Sequence, residues 1–201
     1  MYFEKVSREE FRKSMQFIHT VKNEYIDNIY DNIELPSRST KGSIGYDFHS
    51  PFGFRIKNGE NVIIPTGIRA VGMKENVGLF LFPRSGQGFK YRFALANTVG
   101  IIDSDYMNAD NEGHIMVKLI YDGLAPTDSF MDIDYENSNR NVRLFGPYLY
   151  SKERPKFVEI EAGEKFCQGV FISCLFVDNE NDVTTERKGG FGSTDREVGK
   201  K

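Results

Sequence analysis

A chain of 201 residues can bury one substantial core with a small appendage, but it is too short for two full domains. Its net charge of -3, with Lys and Arg spread along the chain, gives no electrostatic ground for a nucleic-acid or membrane-surface partner. No apolar run approaches the ~18 residues of a spanning helix, and the charged start MYFEKVSREEF is unlike a signal peptide, so the chain reads as soluble, intracellular and cytoplasmic.

Residues 7–29 carry the one clear helix signal. Ser7 with Glu10 three positions on has the form of a capping box, and Phe11, Met15, Ile18, Val21, Tyr25 and Ile29 follow at spacings of three and four. This predicts one apolar stripe that docks either on its own domain or on a partner.

From Pro36 the pattern changes to short strand-like runs broken by Gly, Pro and Asn: YDFHS, FRI, NVIIPTGIRAVG, VGLFLFP, RFALANTVGII, HIMVKLIY, KFVEIEAG and KFCQGVFISCLFV. Such spacing predicts an all-β barrel or sandwich, with Pro65 marking an edge or a bend. Between Gly123 and Pro155 the sequence is polar and Asn-rich, which reads as a surface insertion with a hairpin of its own around Val142 to Tyr150. The tail from Asp178 to Lys201 is polar and Gly-rich, with no core pattern. Cys167 and Cys174, seven residues apart in one strand-like run, fall on opposite faces and read as packing residues rather than a disulfide or a zinc site.

Three stretches concentrate polar function. Arg84-Ser85-Gly86 follows the apolar VGLFLFP, where a Gly admits close backbone approach and a forked guanidinium matches phosphate oxygens; the same residues also make an ordinary turn. Asn97 and the run GIIDSDY from Gly100 to Tyr106 place a donor–acceptor amide, two carboxylates and a flat ring beside a strand; the plain reading is a hairpin with Asp and Ser in its turn. Asp103 could act as a general base for a water. Gly189 to Thr194, beside Arg187 and Lys188, could wrap a polyphosphate, and it also has the composition of a flexible tail.

Together with Gly45-Tyr46-Asp47-Phe48 and Cys167-Gln168-Gly169, these stretches resemble the five ordered motifs of the trimeric dUTP pyrophosphatases, the dUTPases. Asn97, Asp103 and Tyr106 keep that family's six- and three-residue intervals. The resemblance covers residues 35–122 and 157–195. It implies an all-β, distorted jelly-roll or β-barrel fold with an N-terminal helix, assembled as a homotrimer. The expected organisation is a helical extension over 1–34, a dUTPase-like domain over 35–177 carrying the 123–155 insertion, and a C-terminal Gly-rich arm over 178–201 that closes the active site.

The resemblance also implies hydrolysis of dUTP to dUMP and pyrophosphate. Asp103 would activate the attacking water and hold the sugar 3′-hydroxyl, with Asp47, Arg84 and Gln168 completing the catalytic set. Asn97, Gly100 and Ile102 would read uracil, and Tyr106 would pack on the deoxyribose. Arg84, Ser85, Gly86 and Gln168 would hold the triphosphate, either Arg187 or Lys188 would reach the γ-phosphate, and Phe191, Gly192, Ser193 and Thr194 would close over the nucleotide, Phe191 stacking on the base. Mg²⁺ would be held through phosphate oxygens and water, with no direct protein ligand.

Three features depart from the pattern. Lys165 stands where the family more often has Arg, the basic residues Arg187 and Lys188 are displaced relative to Phe191, and MNADNEG after Tyr106 is a longer turn. His49 and His114 read as surface or supporting residues rather than catalysts. Two other readings remain at this stage: a dCTP deaminase or bifunctional deaminase-diphosphatase of the same fold, and a regulatory binding protein gated by nucleotide through the helix or the insertion.

Overall fold

The computed structural model describes residues 1–19, 21–122 and 156–179, together with 187 and 189. Its first element is a strand absent from the sequence-based expectation, β1 (Tyr2–Lys5), which pairs antiparallel with β5 (Ile68–Val71). The helical stripe follows as two helices rather than one, α1 (Arg8–Ile18) and α2 (Asn23–Asp31). His19 adopts an extended conformation that ends α1, and the break resets the helical phase, so Tyr25 turns to solvent. Phe11, Met15, Ile26 and Ile33 are buried in one core with Ile64, Ile68, Ile115 and Leu119. The stripe is therefore used on the chain's own domain.

The capping box forms by half. Ser7 Oγ accepts the Glu10 amide, but the Ser7 amide goes to Glu112, because the Glu10 carboxylate is turned inward to Ser14.

Beyond the helices the chain is built of strands: β2 (Tyr46–His49), β3 (Phe54–Lys57), β4 (Asn61–Pro65), β5, β6 (Val77–Pro83), β7 (Phe93–Leu95), β8 (Gly100–Ile102), β9 (Met116–Tyr121), β10 (Phe157–Ile160) and β11 (Lys165–Ser173). A short helix, α3 (Ser85–Tyr91), separates β6 from β7. The strands form a four-stranded sheet in the order β2-β11-β6-β8, a three-stranded sheet β4-β9-β7, and the pairs β1-β5 and β10-β3. Among the described residues these sheets do not close into one barrel by hydrogen bonding. Pro65, which lacks an amide donor, ends β4 on the outer edge of its sheet.

Two features of this arrangement position the site. The apolar run RFALANTVGII divides into β7 and β8, which belong to different sheets, so the intervening turn crosses between layers and leaves Asn97 exposed. β11 lies between β2 and β6, and a side chain at Gly169 would meet Leu79 at 2.8 Å and Phe48 at 3.0 Å. Cys167 is buried in this sheet with its thiol pushed up by burial, while Cys174 lies just past the strand and is partly exposed; both are free thiols. The hairpin expected around Val142 to Tyr150 lies outside the described residues.

Candidate active site

The sheet order brings three of the sequence motifs together. Gln168 on β11 stands opposite Asp47 of β2 on one side and Phe82 of β6 on the other, two residues from Arg84. Asp47 is buried, yet its oxygens are fully engaged. Ser39 Oγ donates at 2.5 Å and Lys165 Nζ at 3.0 Å to one oxygen, and Arg84 Nε lies 3.1 Å from the other. Burial alone would raise the Asp47 pKa; the bonds from Ser39 and Lys165 and the charge of Arg84 outweigh it, so the carboxyl is held below its ordinary range.

Gln168 donates to the Pro83 carbonyl at 3.3 Å, and its Oε1 fills the space where a side chain on Gly45 would sit, 2.8 Å from that position. Arg84 caps α3, whose first-turn amides have no acceptor within the helix. Ser85 and Gly86 are exposed there, and among the described residues nothing beyond the adjoining turn lies within 4 Å of a side chain built on Gly86. The turn is held from behind by Gln87, which donates to the Lys165 carbonyl at 2.9 Å. The Arg84 guanidinium and the first-turn amides of α3 thus lie beside an anchored carboxylate, a set suited to a polyanion.

The third motif forms a separate cluster. Gly100 and Ile102 are buried in β8 opposite Leu81 and Leu79 of β6, and Asp103 emerges exposed from the strand end. Tyr106 opens a 3-10 turn and is nearly buried. Its hydroxyl donates to the His114 carbonyl at 3.0 Å and accepts from Asn111 at 2.9 Å. The structure brings Arg187 to this cluster: Nε donates to Asp105 at 2.9 Å, another nitrogen donates to Asp103, and the guanidinium lies 5.7 Å from the centre of the Tyr106 ring. Arg187 therefore competes with any water or hydroxyl for the Asp103 carboxylate.

The two clusters sit at opposite ends of one ladder. Leu79 pairs with Ile102 and Leu81 with Gly100, so continuing the register sets Asp103 beside Gly78, six positions from Arg84 along β6. At ~3.3 Å per residue that is roughly 20 Å.

Sequence reasoning did not find Ser39 or Gln87 as parts of these clusters, and gave His114 only as a surface or supporting residue; its carbonyl supports Tyr106. Ser39 lies in a polar loop with no local signal; Gln87 and His114 are polar residues whose burial is decided by distant elements. His114 is fully buried rather than at the surface, and His49 is largely buried with its Nδ1 lacking a hydrogen-bond partner among the described residues. Phe191, Gly192, Ser193, Thr194 and Lys188 lie outside the described residues. Among the described residues no three His, Cys, Asp or Glu side chains gather into a metal cage.

A family model described as dUTPase matches residues 31–123. The deoxyuridine 5'-triphosphate nucleotidohydrolase of Lactococcus lactis subsp. lactis (strain IL1403) is 36% identical over 164 residues, covering 81% of this chain and 88% of that protein. The crystal structure of dUTPase from Streptococcus mutans is similar with a TM-score of 0.55 and 28% identity, covering 89% of this chain and 99% of that one. A mutant dUTPase from phage phi11 of S. aureus, solved with a structural Mg(II) ion, shares the fold at a TM-score of 0.52 and 19% identity over 77% of this chain and 92% of its own. With similarity of this extent to a named dUTP nucleotidohydrolase, and with the motif residues gathered into an anion-facing cluster and a hairpin cluster, the chain belongs to the dUTPase family.

Proposed function

We propose that the enzyme hydrolyses dUTP to dUMP and pyrophosphate in sites shared between subunits of a homotrimer. The observation that carries this is the placement of Arg84 and Asp103 at opposite ends of one ladder, too far apart for one chain to hold both the triphosphate and the reacting water. A second copy supplying the missing end resolves the separation. An exposed apolar run, Leu175, Phe176 and Val177, with Ile172 and Ile101 nearby on β11 and β8, offers the surface for that association.

In this reading Asn97 and the backbone of Gly100 and Ile102 read the uracil, and Tyr106 lies against the deoxyribose. Asp103 takes the proton of the attacking water as its oxygen bonds to the α-phosphorus; the bond to the bridging oxygen breaks, and pyrophosphate leaves with the electron pair. Arg84 with Ser85 and Gly86 of another subunit neutralises the phosphates, while Gln168 and Asp47 fix the position of the Arg84 turn. The donor set fits Mg²⁺ bound through substrate oxygens and water, where it would supply further charge neutralisation. Binding the nucleotide requires Arg187 to give up Asp103 and to turn toward phosphate, with Phe191 to Thr194 closing behind it. The reaction and the composition are those of a cytoplasmic enzyme of nucleotide metabolism.

Co-assembly of two inactive variants tests the shared site. Asp103→Asn and Arg84→Ala chains, refolded together one to one, should regain about a quarter of wild-type pyrophosphate release, because a quarter of randomly assembled sites receive both intact residues. Sites contained within one chain would regain none.

A further inference from the structure

We infer that helix α1 is a positioning element for sugar recognition: Glu10 and Ser14 act through His114 to set the place of Tyr106. This rests on the reading of Tyr106 as the residue packed against the deoxyribose.

The connection is continuous and buried. Gly67 N–H donates to His114 Nε2 at 2.9 Å; a backbone amide can only donate, so the ring proton lies on Nδ1. Nδ1 is 3.1 Å from Ser14 Oγ, and Ser14 Oγ donates to Glu10 Oε1 at 2.8 Å. His114 is fully buried, and Glu10 and Ser14 nearly so. The carbonyl of the same His114 accepts the Tyr106 hydroxyl at 3.0 Å. One residue thus joins a helix near the start of the chain to the ring of the hairpin cluster.

A second contact ties α1 to the same loop. The Glu112 carboxylate accepts the Ser7 amide at 2.7 Å and the Ser7 hydroxyl at 2.5 Å, at the N-cap of α1. Between these anchors lies Gly113, at φ +72°, where any side chain would meet Met107 Cα at 2.7 Å and the Tyr106 carbonyl at 2.8 Å. Among the described residues the loop after Tyr106 has no strand partner over Met107–Gly113; beside the Asn111 bond to Tyr106 and the Arg69 bond to the Glu112 carbonyl, these two attachments are what tie it to α1. A buried carboxylate is costly unless paired, and here one oxygen is paired through a hydroxyl and an imidazole while an exposed Lys13 Nζ lies 3.9 Å from the other. A helix that merely covered the core would need neither.

The test compares kcat and KM for dUTP and UTP in intact enzyme. Ser14→Ala removes the hydroxyl between Glu10 and His114, leaving only the 3.5 Å approach of Nδ1 to Glu10 Oε1, and should lower the dUTP-over-UTP ratio of kcat/KM about tenfold, mainly through a higher KM for dUTP. Ser14→Thr, which keeps the hydroxyl, should restore the ratio. Glu10→Gln keeps an acceptor for Ser14 without the charge and should fall between them. Tyr106→Phe, which keeps the ring but loses its bond to the His114 carbonyl, should reproduce the rise in KM. Ile26→Val weakens the helical layer elsewhere and should leave the ratio at the wild-type value. An unchanged ratio in Ser14→Ala, or an equal fall in Ile26→Val, overturns the role of the helix. Tyr106→Leu separates the two readings: if it leaves the ratio unchanged, the sugar reading of Tyr106 fails, whereas loss of discrimination there with none in Ser14→Ala overturns the inference about the helix alone.

Discussion

The phosphate-facing cluster and the hairpin cluster are built by different means. Around Asp47 the positions follow from strand pairing: β11 holds Gln168 between β2 and β6, and three donors converge on one buried carboxylate. Around Tyr106 the positions follow from a turn, a 3-10 segment and a loop, steadied by a helix roughly a hundred residues earlier in the chain. The first cluster is preorganised by the sheet itself, so its geometry should survive a local change. The second borrows its order from a remote element and should respond to changes there.

The largest effect tests the chemistry of the hairpin cluster. Asp103→Asn should reduce kcat for pyrophosphate release by roughly 10²–10⁴-fold with little change in KM, since the side chain still fits but no longer accepts a proton. A rate within a few-fold of wild type would remove Asp103 from the reaction. Next comes the phosphate-facing cluster: Arg84→Ala should lower kcat/KM by about 10²-fold, and Arg84→Lys should recover part of it, as a point charge replaces a forked donor. Full recovery by Lys would show that the fork has no role there.

Smaller effects sharpen the contrast in stability. Gly113→Ala forces a left-handed residue against backbone atoms and should destabilise the fold by about 1–3 kcal/mol in urea unfolding. It should also raise KM for dUTP, whereas Gly86→Ala, which meets nothing among the described residues, should leave stability unchanged. The smallest effect is the pH dependence of the Asp47 network. Its carboxyl is held below the unfolded value of 3.8, so its contribution is complete above that pH and is lost as pH falls through the lower folded value. Unfolding curves of wild type and Asp47→Asn should therefore differ at neutral pH and converge below about pH 4. Parallel curves down to pH 3 would contradict that assignment.

Much of this was legible in the sequence because it depends on local chemistry. The short β runs, the edge position of Pro65 and the close spacing of Asn97, Asp103 and Tyr106 follow from what each residue permits in its immediate backbone. The split of the helix at His19, the strand at Tyr2–Lys5 and the half-made capping box were not legible, since each is decided by a partner from elsewhere: β5 for the strand, Glu112 for the Ser7 amide.

The stretch from Pro83 to Tyr106 shows where the line falls. Sequence alone supplied a turn with donors suited to phosphate at one end and an amide, two carboxylates and a ring at the other, whose roles toward uracil and deoxyribose came from the resemblance rather than from the residues themselves. Only the tertiary structure decided that these two ends point apart along β6, that Arg187 rests on Asp103, and that a buried histidine joins Tyr106 to the first helix. The reason is physical: composition and interval specify chemistry, whereas strand register and burial specify distance, and both of those are settled by residues far away in the chain.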